Sequence, residues 1–127
     1  MNRIRPALHG ILTAIHPQVY FLRAPKDAEF PYLVYDLPNS FWDAEQEIWS
    51  LDVDVWDVAE DTTVLEGLAR QVSDTLHRLR YMDADIVFKV YRINRLALDD
   101  DDDRIRRRKV MFELRAFDSG LIKRTGE

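Results

Sequence analysis

Three aspartates on one short stretch are the first candidates for chemistry. Asp52, Asp54 and Asp57 lie in Trp49-Ser50-Leu51-Asp52-Val53-Asp54-Val55-Trp56-Asp57. A metal-dependent nuclease of the strand-borne type pairs such an acid with a nearby Glu-x-Lys. The nearest sequence is Glu113-Leu114-Arg115, and arginine lacks lysine's tunable proton. The run Asp99-Asp100-Asp101-Asp102-Asp103 has the oxygens a calcium ion wants, but not the spaced ligands, glycine and distal Glu of a calcium loop. His9, His16 and His77 are dispersed, and the spacing of seven between the first two is wrong for a helical metal pair, which needs i, i+4. There is no Gly-rich phosphate loop, nucleophile elbow or Ser/His/Asp cluster. No catalytic residue, metal ligand or cofactor is therefore assigned.

The basic run Arg104, Arg106, Arg107, Arg108 and Lys109 could touch phosphates. The acidic run adjoins it, and the 127-residue chain carries a net charge of -5, so nucleic acid is not an expected partner. The chain lacks cysteine, which excludes disulfides and thiol chemistry. No apolar run is long enough to span a membrane, and no apolar stretch of signal-peptide type follows the N-terminus.

The elements that must position these residues follow from periodicity. Trp49, Leu51, Val53 and Val55 alternate with Ser50, Asp52, Asp54 and Trp56, which is the period of a strand with one buried face. Ile4, Leu8, Ile11, Leu12 and Ile15 form the stripe of a helix over 3–15, stopped by His16-Pro17. A longer helix is expected over 61–80, with Leu65, Leu68, Val72, Leu76 and Leu79 on one side and Thr63 and Glu66 at capping-box spacing. Val19–Leu22, Tyr32–Leu37, Asp85–Leu98 and Arg104–Phe117 read as further strands. Pro38-Asn39-Ser40 reads as a turn, and Asp99–Asp103 as an extended hairpin tip kept mobile by like charges.

The expected fold is α+β: a five-stranded, mostly antiparallel sheet with two helices packed on one face, in the order α-β-β-β-α-β-β. Residues 1–118 form one domain, and 119–127 a flexible C-terminal tail. Two helices cover only one side of five strands. The other side offers Asp52, Asp54 and Trp56 from the central strand and Met111, Glu113, Arg115 and Phe117 from the last; Lys89, Tyr91 and Ile93 come from the fourth. Aromatic, Met and Arg side chains among mixed charges are the composition of a protein interface. Asp52, Asp54, Trp56, Tyr91, Met111, Arg115 and Phe117 are the candidate oligomer interface. Asp99, Asp100, Asp101, Asp102, Asp103, Arg104, Arg106, Arg107 and Arg108 form a hairpin expected to contact a neighbour.

Three segments, in order, resemble the tail-terminator (tail-completion, minor tail) proteins of long-tailed phages and prophages. They are Phe30-Pro31-Tyr32-Leu33-Val34-Tyr35, then Leu51-Asp52-Val53-Asp54-Val55-Trp56-Asp57, then Arg106-Arg107-Arg108-Lys109-Val110-Met111-Phe112-Glu113-Leu114. The resemblance covers roughly residues 5–118, and departs at the five-Asp turn and the basic run. It implies assembly rather than catalysis. Such proteins form a ring, usually of six copies, on the head-proximal end of the tail tube; the ring stops tube growth and meets the head's connector. The implied partners are further copies of the chain, the tube protein and a head-completion or connector protein. The implied location is the virion tail, after assembly in host cytoplasm. Two other readings remain open: a head-completion protein of the same assembly, and a small regulatory adaptor binding a host protein or nucleic acid.

Overall fold

A computed structural model describes residues 3–118; the tail expected at 119–127 lies outside the described residues. The elements are α1 (Ile4–Ile15), β1 (Val19–Phe21), β2 (Tyr32–Asp36), β3 (Ser40–Asp43), β4 (Gln46–Asp57), α2 (Thr63–Leu76), β5 (Arg80–Met82), β6 (Ile86–Asp99) and β7 (Arg106–Asp118). The strands form one sheet in the order β1-β2-β4-β7-β6-β5, with β3 also paired to β4.

β4 is the axis of the sheet. Along one edge it pairs in register with β7 from Glu47↔Ala116 to Asp57↔Arg106. Along the other it pairs with β2 and then with β3. Leu51, Val53 and Val55 are fully buried. They share one core cluster with Ile4, Leu8 and Leu12 of α1, Leu65, Ala69, Val72 and Leu76 of α2, and the inward residues of β6 and β7. Each buried Leu, Ile, Val or Phe among them contributes about 1.5–3 kcal/mol through burial.

The five-stranded, mostly antiparallel expectation is overturned. The sheet has seven strands and is mixed, curling into a half-barrel, and the chain order is α-β-β-β-β-α-β-β-β. Three local causes account for the difference. β1 pairs with β2 in parallel; residues 22–31 carry the chain back to the start of β2, which a tight hairpin cannot do, after Leu22 at φ 69° makes the last bond to β2 through Tyr35. Phe41 and Trp42 form a further strand, β3, because Ala44 adopts φ 56° and lets the chain double back after Asp43. Finally, α2 ends at Leu76 rather than Arg80: His77 is extended and Arg78 has φ 65°, which frees Arg80–Met82 to pair with β6.

The start of α2 also differs from expectation. Thr63 makes no capping box with Glu66. Asp61 instead accepts both the Thr63 N–H at 2.9 Å and its hydroxyl at 2.6 Å, and these bonds hold the Asp61 carboxyl below its usual pKa. The Glu66 side chain is engaged elsewhere.

Candidate functional site

The face of the sheet opposite the helices carries the residues singled out in the sequence, and register decides which of them meet. Trp56 lies between Tyr32 of β2 and Arg107 of β7; Asp54 lies between Val34 and Lys109, and Asp52 between Asp36 and Met111. The Arg107 Nε donates to Asp54 Oδ1 at 2.9 Å, and the guanidinium lies 4.7 Å from the Trp56 ring centre. Tyr32 stacks on the other flank of Trp56, with centroids 6.2 Å apart. Lys109 Nζ lies 3.6 Å from Asp52. Further down β7, Arg115 Nε donates to Glu113 at 3.1 Å and approaches the Tyr91 ring. Asp54 and Asp52 of β4 thus face Arg107 and Lys109 of β7, and Asp54 is only 8% exposed. Burial is the main cause raising the Asp52 pKa, with Lys109 opposing it and Asp54 and Asp36 adding to it. Met111 and Phe117 are half-buried on this face.

One residue expected here is displaced. A bulge shifts the β6 register between Arg92 and Asn94, so Ile93 opposes no partner and stands 64% exposed. An extra residue in one strand inverts the alternation beyond it. Leu96 and Leu98 consequently share the open face opposite Lys109 and Arg107. Arg95 turns to the helix side, where it pairs with Glu66 of α2.

The hairpin of β6 and β7 has an ordered tip, not the extended one expected from five aspartates. Asp100 accepts the Asp102 N–H at 3.1 Å. Asp102 accepts the Arg104 N–H at 3.0 Å and its guanidinium at 3.0 and 2.8 Å. Short carboxylates satisfy nearby backbone donors in this way and fix a turn. The Arg104 bonds pull the Asp102 pKa down to about 2. Burial, and then the nearby Asp100 carboxylate, push the Tyr32 hydroxyl up, and the tip residues Asp102, Asp103 and Arg104 line one cleft with Phe30 and Val58. Beyond Arg104, the basic block turns back on its own chain rather than facing the acidic run: Arg106 donates to the Ala59 carbonyl at 3.3 Å, Arg107 to Asp54, and Arg108 to Glu66. Arg104 keeps 83% of its side chain exposed, and Asp101 and Asp103 complete an outward surface.

The margins of the sheet hold residues that periodicity did not reveal. All four residues of β3 are exposed, Phe41 by 55% and Trp42 by 68%. Asp43, Glu45 and Glu47 lie on the same hairpin, and Trp42, Glu45 and Glu47 line one cleft with Arg3 and Phe117. At the opposite margin, Tyr91, Ile93 and Leu96 are exposed on β6, with Arg78, Arg80 and Lys89 on the same edge and Asp83 and Asp85 in the β5–β6 turn at its end. Two adjacent aromatics between turn residues were the available signal at β3; nothing in the sequence marks the bulge at Ile93.

The histidines hold separate structural positions. His9 meets the Tyr35 hydroxyl at 3.2 Å, His16 Nε2 the Pro31 carbonyl at 2.8 Å, and His77 Nδ1 accepts the Arg92 N–H at 3.1 Å. Among the described residues no three His, Asp or Glu side chains are grouped to hold a metal ion, and no described helix is long and apolar enough to cross a membrane.

No family model and no curated protein matches the sequence. Among solved structures, the fold is similar to that of a chain in the virion of a native gene transfer agent (GTA) particle. The TM-score is 0.63 at 19% sequence identity, over 83% of this chain and 83% of that one. At that identity the likeness establishes a shared fold.

Proposed function

We propose that this chain is a structural protein of a phage-type particle, and that it caps the tail tube as a ring that ends tube polymerisation and helps join tail to head. The observation that carries this reading is the fold held in common with a virion chain over 83% of both chains. The three ordered segments that resemble tail terminators support the finer assignment. So does the shape of the sheet, which has two unlike margins on opposite sides of β4. A ring needs two different patches that meet head to tail with a rotation that closes. Six copies is the number the resemblance implies, with the tube protein on one side of the ring and a head connector on the other.

Deleting the gene in a strain that makes the particle, followed by electron microscopy, tests the function. Tails of uncontrolled length and unjoined heads are expected. Tails of normal length beside filled, unjoined heads would assign the chain to head completion instead. Intact particles would remove it from the assembly.

A further inference from the structure

We propose that neighbouring copies meet margin to margin, with the acidic β3–β4 hairpin of one subunit lying against the basic β5–β6 edge of the next. The inference rests on the ring reading and names the surfaces that would build the ring.

Charge is the first argument. Asp43 and Glu45, on the β3–β4 hairpin, form no ion pair among the described residues, and neither do Arg78, Arg80 and Lys89 on the opposite margin. Each margin also presents large apolar side chains, Phe41 and Trp42 on one and Tyr91 and Ile93 on the other. A head-to-tail contact sets Asp43 and Glu45 against Arg78, Arg80 and Lys89, whereas a hairpin-to-hairpin contact would set Asp43 and Glu45 against their own copies, and like-charge juxtaposition suppresses that pairing. A second copy of this chain therefore supplies the complement that each margin lacks.

Geometry gives the second argument. The two margins lie on opposite sides of the β4–β7 centre, and the sheet is curled. Successive copies joined through such margins rotate relative to one another instead of running straight, as ring closure demands. The contact runs through side chains, not through a continuous sheet. On β6 the outward N–H of Arg92 is taken by His77 Nδ1 at 3.1 Å, and that of Arg95 by Asn94 Oδ1 at 2.8 Å. A bulged, capped edge resists strand addition while still presenting Ile93.

The absence of cysteine from the chain makes the test clean. Full-length Trp42→Cys and Ile93→Cys proteins are prepared separately, mixed, and oxidised mildly, both in solution and on particles isolated from the producing strain. Mixed disulfide dimers are expected to exceed either homodimer at least tenfold. The double variant is expected to give a covalent ladder ending at one fixed number of copies. Glu45→Arg should weaken association about tenfold, and Arg80→Glu in the same chain should restore it to within about threefold. This pair keeps the proposal testable should a cysteine variant fold poorly. Rings seen by native mass measurement or microscopy, without mixed cross-links or charge rescue, would overturn the margin contact and leave the ring standing. No ring, either in solution or on particles, would overturn the ring reading itself.

Discussion

The open sheet face and the sheet margins carry similar residues, acids, bases and aromatics, and treat them in opposite ways. On the face, Asp54 is bonded to Arg107, Trp56 lies between Arg107 and Tyr32, and Lys109 approaches Asp52. At the margins, Trp42 and Ile93 stand 68% and 64% exposed, near Asp43, Glu45, Arg78, Arg80 and Lys89, which form no ion pair among the described residues. The same mixed composition is thus paired within the chain on the face and left without ion pairs at the margins. What separates the two regions is whether neighbouring strands already satisfy the charges. Cross-strand neighbours do so at the sheet centre; at an edge, half of those neighbours are missing.

The contrast breaks most visibly under paired Trp→Glu changes. Trp42→Glu is expected to keep the melting temperature of the monomer and to weaken association at least thirtyfold, the scale of an aromatic hot spot worth about 2 kcal/mol or more. Trp56→Glu is expected to do the reverse, lowering stability while the folded fraction still assembles. Sedimentation and thermal melts on both variants decide the matter. A stable Trp56→Glu monomer that no longer associates would return the interface to the open face.

Asp54→Ala comes next in size. It leaves the Arg107 guanidinium without its carboxylate in a partly buried site, at a cost of about 2–3 kcal/mol, read as a shift in the denaturant midpoint with association unchanged. Glu66→Gln should cost about 1 kcal/mol, because it weakens two arginine bonds, to Arg95 and Arg108, that are partly solvent-screened. Hydrogen exchange should then rise in the parts of β6 and β7 next to their shared hairpin tip, around Arg95 and Arg108, and remain unchanged at β4.

Asp52→Asn is the smallest change, and its sign depends on pH. Burial raises the folded-state pKa of Asp52. The folded protein thus binds this proton more tightly than the unfolded chain. That contribution is fully present below the unfolded value near 3.8 and is lost as pH rises through the raised folded value. Asparagine is therefore expected to raise the melting temperature at neutral pH, with the gain vanishing below pH about 4. Asp102 has the opposite sign. Its folded pKa is depressed to about 2, so its hold on Arg104 contributes stability above the unfolded value, lost as pH falls toward 2.

How much of this was legible in the sequence depended on range and on burial. The alternation at Leu51, Val53 and Val55 identified β4, and the stripes of α1 and α2 identified the helices, because one face of each is buried and burial writes a period. β3 writes none, since all four of its residues are exposed. The end of α2 was hidden because His77 and Arg78 reverse the chain without glycine or proline. Asp52, Asp54 and Trp56 were correctly grouped on one face, but the bond from Asp54 to Arg107 spans 53 positions, and no local pattern carries such a pairing. The bulge at Ile93 changed which β6 residues share that face. The local capping box at Glu66 lost to two distant arginines.

Complementation in the deletion strain tests the central claim most directly. Wild-type, Trp42→Glu and Trp56→Ala proteins are supplied at equal level, and tail lengths are measured by electron microscopy. The margin account expects uncontrolled tails with Trp42→Glu, although that protein is folded and abundant, and uniform tails with Trp56→Ala. Uniform tails with Trp42→Glu would contradict it.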